Sequence, residues 1–348
     1  MKAKEMRGMI LKEFQKPLVL EETNEPEIGP NQVLVKSKSN GLCATDLKIV
    51  DGLIQTAPTP LMLGHENAGE ILEVGSNVNG FKSGDRVVVV SKQTCGYCQM
   101  CRLGSEEMCL NSPGRLGIEL HGGFGELVAV SERNLVKIGD NVSSSAACLI
   151  GGTLGSPLHA IRMANVQLGE YAVVFGVGGL GIHALQILRY LGANVIAVDI
   201  SEEKLTAAKE LGATEIINAS KTDPVEAILE ITNGLGADLA LEIVGGSAVP
   251  IVIQQCIDLL KRGGRLLILG YHMGQKVPID PAQLVYKWIQ IIASHNHTVK
   301  DVADAASLVN DGRVKAIITD TIPIEEANDA FQILRAGDPV GRMVLEWT

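Results

Sequence analysis

The stretch from Tyr171 to Ile200, YAVVFGVGGLGIHALQILRYLGANVIAVDI, constrains the fold more than any other part of the chain. A short apolar run, Ala172 to Phe175, reads as a strand buried on both faces. It leads directly into Gly176-Val177-Gly178-Gly179-Leu180-Gly181, a G-x-G-x-x-G pattern. A helical run follows, with Ala184, Leu185, Leu188 and Leu191 on a shared face and Gly192 where a glycine stops a helix. A second strand, Val195 to Val198, ends in Asp199, eighteen residues after Gly181. Strand, glycine turn, helix, strand and terminal acid in that order point to a dinucleotide-binding unit. One glycine makes the tight turn, one lets a pyrophosphate approach the backbone, and one lets helix and strand pack closely. The helix start then offers unpaired N–H groups to the phosphates. Gly176, Gly178, Gly179, Leu180 and Gly181 are therefore expected to bind the cofactor, with Lys204 in the following helix beside them. Asp199 is expected to accept from the ribose hydroxyls and to repel a 2′-phosphate, which favours NAD over NADP. The competing role for Asp199, capping the next helix, suits Ser201 better.

Around that stretch the pattern extends in both directions. From about 153 to 295, strand candidates at 172–175, 195–198, 215–217, 239–243, 265–269 and 290–293 alternate with helical runs such as 202–211 and 248–261. Six strands with crossover helices make a doubly wound parallel sheet, an α/β arrangement. Residues 1 to about 150 are instead β-rich, with strands expected near 18–21, 33–37, 68–74, 86–90 and 125–130, separated by Gly, Pro, Asn and Asp turns. The tail from 296 carries an amphipathic helix, 299–311, and strand-like runs at 316–318 and 342–346, and should fold back onto the first domain. The expected domains are 1–152, 153–295 and the return 296–348. With 348 residues, two domains are the natural expectation.

A net charge of -10 argues against a phosphate-backbone partner, and 3% aromatic residues against stacking on single-stranded nucleic acid. The N-terminal MKAKEMRGMILKEFQ lacks the apolar core of a signal peptide. No run approaches the ~18 apolar residues of a bilayer span. A soluble, cytoplasmic protein without a membrane partner is expected.

Of seven cysteines, four fall within fifteen residues: Cys95, Cys98, Cys101 and Cys109. In a polar loop, four thiols at these spacings can close a tetrahedral shell around zinc within a lobe at 91–111. Such a site has no open position, so it is structural. A redox C-x-x-C would need a thioredoxin-like βαβ setting, which is missing. A second constellation pairs GLCATDLK, with Cys43, Thr45, Asp46 and Lys48, with LGHENAGE, carrying His65 and Glu66. By themselves a cysteine and a histidine 22 residues apart also fit a buried thiol and a surface imidazole.

The pieces taken together resemble the zinc-dependent alcohol dehydrogenase branch of the medium-chain dehydrogenase/reductase superfamily, of the threonine and sorbitol dehydrogenase kind. The resemblance rests on GLCATD, PLMLGHENAGEILEVG, FKSGDRVVV, the four-cysteine lobe, HGGFGELV, the glycine turn and GGRLLILG, and spans nearly the whole chain. It implies a Rossmann domain inserted in a GroES-like β-rich catalytic domain. It also implies two zinc ions per subunit and reversible hydride transfer between an alcohol or ketone and NAD. Cys43, His65 and Glu66 would hold the catalytic zinc, and Cys95, Cys98, Cys101 and Cys109 the structural one. Thr45 would bond the substrate oxygen and start a proton relay, and Asp46 would orient His65.

The chain departs from the family in three places. Gly152 stands where a third metal ligand is usual, which makes Glu66 the substitute, while Cys148 reads as a buried apolar residue. Lys48 replaces a relay histidine; an ammonium there would hold the cofactor ribose or an acidic substrate and pass protons poorly. His295 and His297 lie near the expected domain junction and either contact substrate or are polar loop residues. His121 and His183 read as structural.

A secondary alcohol is the expected substrate: a polyol, hydroxy acid or cyclic alcohol. One alternative is a zinc-independent enoyl or quinone-type reductase, favoured by Gly152 and opposed by Asp199, Cys43 and His65. Another is a non-catalytic dinucleotide-binding sensor or structural protein, opposed by Cys43, Thr45, His65 and Glu66 together. The apolar strand QIIAS at the sheet edge is expected to pair with something; the resemblance implies that it pairs with its own copy, giving a homo-oligomer, a tetramer rather than a dimer.

Overall fold

The computed structural model describes residues 4–337 and 339–347. The chain forms two compact units, Met1–Gly155 with Asn296–Gly312 and Ile318–Thr348, and Ser156–His295 with Arg313–Ile317. The first crossing therefore falls three residues later than the sequence pattern suggests. The short run 313–317 groups with the second unit rather than with the returning tail.

In the second unit six strands form one parallel sheet. They are Tyr171–Phe175 (β1), Asn194–Asp199 (β2), Glu215–Asn218 (β3), Ala237–Glu242 (β4), Leu260–Ile268 (β5) and Gln290–Ala293 (β6). Their order is β3-β2-β1-β4-β5-β6, so the chain starts in the middle and winds outward both ways. This is the Rossmann arrangement, which places the β1–helix turn at the carboxyl edge where the strand order reverses. The central strands are apolar along their whole length because helices cover both faces; Ala172, Val173, Val174, Ile196, Leu239 and Leu241 are all fully buried.

The helix after β1, Gly181–Tyr190 (α1), is buried from Gly181 through Leu188. Of the apolar face expected there, Leu191 proves 37% exposed, because it is the cap residue and the helix has already ended. Gly192, at φ +85°, makes the left-handed turn that stops it. On one side α1 grips the 313–317 run: Gln186 Nε2 donates to the Lys315 carbonyl at 3.0 Å and its Oε1 accepts from the Lys315 N–H at 2.9 Å.

The first unit is built mainly from antiparallel strands, with one parallel pair, 318–323 beside 342–346. One sheet runs 135–137, 86–89, 67–74, 32–41, 342–346 and 318–323, with 127–131 also pairing along 32–41. A three-stranded sheet joins 19–24, 5–11 and 61–62. The strand Glu5–Leu11 falls in the segment read only for targeting signals, and the tail strand expected at 316–318 is Ile318–Pro323. The last strand pairs antiparallel with Ser39–Gly41, so residues 300 positions apart in sequence close one sheet. No helix among the described residues is long and apolar enough to cross a membrane.

The close packing of the glycine turn gives a direct test. A Cβ on Gly181 would fall inside the carbonyl oxygen of Gly176, a backbone atom that cannot step aside. Gly181→Ala should cost about 1–3 kcal/mol in urea unfolding of this unit. An unchanged midpoint would contradict the packing described here.

Candidate functional site

Cys43 lies two residues beyond the strand Gln32–Gly41 and caps the helix Ala44–Val50. Its Sγ accepts from the Thr45 N–H at 3.5 Å, and the Asp46 carboxylate accepts from the Cys43 N–H at 2.9 Å, a reciprocal capping box. The same Asp46, fully buried, accepts with its other oxygen from His65 Nδ1 at 3.1 Å. In the neutral ring, a carboxylate there places the proton on Nδ1 and leaves the Nε2 lone pair for a metal. His65 reaches this place through Gly64 at φ +89°, where any side chain would strike Phe124.

The electrostatics of the pair are matched. Burial opposes charge on His65, yet Asp46 and Cys43 outweigh it and hold the ring well above its ordinary value. Burial likewise raises Cys43, but Arg342 and His65 more than offset this and bring the thiol below its usual range. Thr45 and Lys48 lie half-buried on the same helix. Burial presses the Lys48 pKa down, and Cys43 partly restores it.

Glu66 completes the cluster. Ligand atoms of Cys43, His65 and Glu66 all lie within 4.8 Å of one another. Thiolate, imidazole and carboxylate are donors that zinc accepts together, and three of them leave a fourth position open. The Glu66 carboxylate is buried and doubly held: Thr153 Oγ1 donates to it at 2.8 Å, and Arg342 Nη2 at 3.1 Å. Arg342 Nε also donates to Thr153 Oγ1 at 2.9 Å, closing a buried triangle. Two glycines make room. A Cβ on Gly41 would run into the carboxylate, and one on Gly152 would lie 2.7 Å from Glu66 Cγ. Gly152 and Thr153 sit in a single π turn, Ile150–Leu154, the kind of helix irregularity that re-aims side chains at functional sites.

Gly41, Thr153 and Arg342 were not singled out in the sequence. An arginine at the start of the apolar strand Arg342–Glu346 was the one available signal, since a buried cation needs a partner. Cys148 stays outside the cluster: its Sγ donates to the Ser145 carbonyl and burial pushes its pKa far up.

In the lobe, the four sulfurs of Cys95, Cys98, Cys101 and Cys109 also lie within 4.8 Å of one another. The Cys95–Cys101 and Cys98–Cys109 sulfur pairs are each 3.9 Å apart. Four sulfurs at about 2.3 Å from a tetrahedral zinc stand ~3.8 Å from each other, so this shell fits the metal. Backbone N–H groups of Cys101 and Leu110 bring Cys98 down to about 6, while burial and the neighbouring sulfurs push Cys101 up to about 12.

At the glycine turn, Gly176 takes φ +90° and Asp199 closes the strand end. Asp199 accepts from the N–H groups of Val177 at 2.8 Å, Ile200 at 2.8 Å and Ser201 at 3.0 Å, so it fixes the turn as well as facing it. Ser201 caps the helix Glu202–Glu210, and Lys204 lies half-buried in its first turn. Of the two histidines at the expected junction, His295 is exposed and His297 is buried against Gly155 in the first unit; neither joins a metal-capable cluster among the described residues. His121 accepts from the Met62 N–H, and burial lowers its pKa.

Residues 29–140 match the alcohol dehydrogenase GroES-like domain, and 179–311 the zinc-binding dehydrogenase domain. The chain is 36% identical to an NAD-dependent alcohol dehydrogenase of Sulfolobus acidocaldarius, over 99% of this chain and 100% of that one. Its fold is similar to the crystal structure of AibC, with TM-score 0.93, 30% identity and coverage of 100% and 97% of the two chains. It is also similar to the alcohol dehydrogenase of the hyperthermophilic archaeon Aeropyrum pernix, with TM-score 0.90, 32% identity and coverage of 98% and 99%. The chain belongs to the zinc-type alcohol dehydrogenase family of medium-chain dehydrogenase/reductases.

Proposed function

We infer that the protein is a cytoplasmic, zinc- and NAD-dependent dehydrogenase that interconverts a secondary alcohol, of the polyol, hydroxy acid or cyclic class, and its ketone. The observation that carries this reading is the buried cluster of Cys43, His65 and Glu66, three metal-capable side chains within 4.8 Å of one another, with the Asp46 carboxylate holding the His65 ring at Nδ1. Free thiols at all seven cysteines suit a reducing compartment.

Cys43, His65 and Glu66 would hold one zinc with room for the substrate oxygen, and Cys95, Cys98, Cys101 and Cys109 would hold the other. When bound, zinc supplies Lewis-acid polarisation of that oxygen, and NAD supplies the hydride acceptor. Asp46 keeps the His65 ring turned toward the metal. The Thr45 hydroxyl bonds the substrate oxygen and would start the proton relay, accepting the alcohol's proton as it gives up its own toward solvent. Lys48 holds the cofactor ribose or an acidic group of the substrate. Gly176, Gly178, Gly179, Leu180 and Gly181 cradle the pyrophosphate, Asp199 takes the ribose hydroxyls, and Lys204 lies beside the cofactor. Gly152 fits this reading, because the space an ordinary third ligand would need is filled by Glu66 itself.

A homo-oligomer is part of the proposal. β6 is the edge of the parallel sheet, with Ile291 39% exposed, and Val285, Tyr286 and Trp288 beside it in the chain are 67–75% exposed. An apolar edge of this kind pairs with another strand, here its own copy, and two such dimers make a tetramer.

Four measurements test these assignments. Zinc counted by mass spectrometry should be two per subunit in the natural protein and one in Cys43→Ala, with NAD reduction over an alcohol panel abolished. Asp46→Asn should lose about 10–100-fold in catalytic zinc affinity or turnover. One zinc in both natural protein and Cys43→Ala would remove the catalytic metal and with it the mechanism. In Asp199→Ala, kcat/KM for NADP relative to NAD should rise by about tenfold or more, a shift of ~1.4 kcal/mol; an unchanged ratio would mean a different acid reads the ribose. Sedimentation at micromolar concentration should give a tetramer, and a monomer would rule out the edge pairing.

A further inference from the structure

His183 stands in the first turn of α1 with no exposed surface. Its backbone N–H reaches back only three residues, to the Leu180 carbonyl at 3.2 Å. The carbonyl four residues back, that of Gly179, is met instead by the residue's own ring: Nδ1 lies 2.6 Å from it. On the far side of the ring, the Ile317 N–H donates to Nε2 at 2.9 Å. A carbonyl only accepts and an amide N–H only donates. The ring is therefore neutral toward these two partners, with its proton on Nδ1 and its lone pair on Nε2.

Peptide geometry extends this to the glycine turn. The Gly179–Leu180 peptide is planar and trans, so its C=O and N–H point in opposite directions. With the carbonyl drawn in toward His183, the Leu180 N–H is turned out from the start of α1. That is the direction in which a G-x-G-x-x-G turn presents N–H groups to a pyrophosphate. The ring is itself braced, since Ile317 belongs to the 313–317 run that Gln186 grips through Lys315.

We propose that His183 is a positioning residue for the dinucleotide: in its Nδ1–H tautomer it locks the Gly179–Leu180 peptide so that the Leu180 N–H faces the phosphates, and it ties that peptide to residues 313–317. This inference rests on the reading that the turn binds NAD. It assigns to a helix histidine, which touches no substrate, part of the cofactor affinity.

The test uses NADH fluorescence titration on the zinc-loaded full chain with three variants. His183→Asn keeps a donor near the Nδ1 position and loses the Ile317 acceptor. His183→Gln carries its acceptor toward Ile317 and offers nothing to Gly179, and His183→Leu offers neither. NADH affinity in the asparagine variant should stay within a factor of about three of the natural protein, while the glutamine and leucine variants weaken by about tenfold, because the Gly179 carbonyl loses its donor. Melting without cofactor should instead rank glutamine above asparagine. If affinity followed the melting order, His183 would be a purely structural residue and the proposal would fall. Nitrogen NMR of labelled histidine gives a readout independent of cofactor: a ring protonated on Nε2 overturns the proposal. Failure of the natural protein to bind NADH would overturn the NAD reading itself, a result distinct from either of these.

Discussion

The first unit is interrupted by about 140 residues and must be closed again by its own tail, and the interaction that closes it is the buried pair of Arg342 with Glu66. Arg342 opens the last strand, and Glu66 comes from the loop before Asn67–Val74, near the other end of the chain. Both side chains are at most 5% exposed, so neither charge can fall back on water. Leaving one of them alone would cost about 3–5 kcal/mol. Thr153, which bonds both, brings the π turn into the same contact. Closure of the sheet, placement of the π turn and orientation of a carboxylate that faces Cys43 and His65 are thus one event.

This coupling has a chemical consequence. A carboxylate next to a thiolate is electrostatically unfavourable, and Glu66 does raise the Cys43 pKa, yet Arg342 lowers it by more. The arginine that closes the fold therefore also offsets, at Cys43, the repulsion that Glu66 exerts on a thiolate there. A metal cation placed among these three side chains would add to that balance rather than create it. Asp46 plays the matching part for His65, and it can do so because the capping box has already fixed its position relative to Cys43.

Local signals were legible in the sequence. The apolar runs of β1 and β2, the glycine turn and the stop at Gly192 depend on residues within a few positions of each other, and the strand pattern of the second unit follows from period and length alone. The four-cysteine lobe was legible for the same reason, since fifteen residues set its spacing. What could not be read depends on contacts across the chain. Glu5–Leu11 is a strand because it pairs with 19–24 and 61–62, not because of its composition. The 313–317 run joins the second unit through Gln186 and His183, side chains that lie in a helix 130 positions earlier. Thr153 and Arg342 carried no motif, and only their burial beside Glu66 gives them a role.

Gly152 shows why the presence of a motif and the absence of one residue have to be weighed by volume. By sequence, a glycine at a ligand position is a loss. By geometry, it is half of an exchange, because the Glu66 side chain passes through the space that a Cβ at 152 would occupy. Gly41 clears the opposite side of the same carboxylate. Four residues from three separate stretches, Gly41, Gly152, Thr153 and Arg342, converge on Glu66 and fix its carboxylate beside Cys43 and His65.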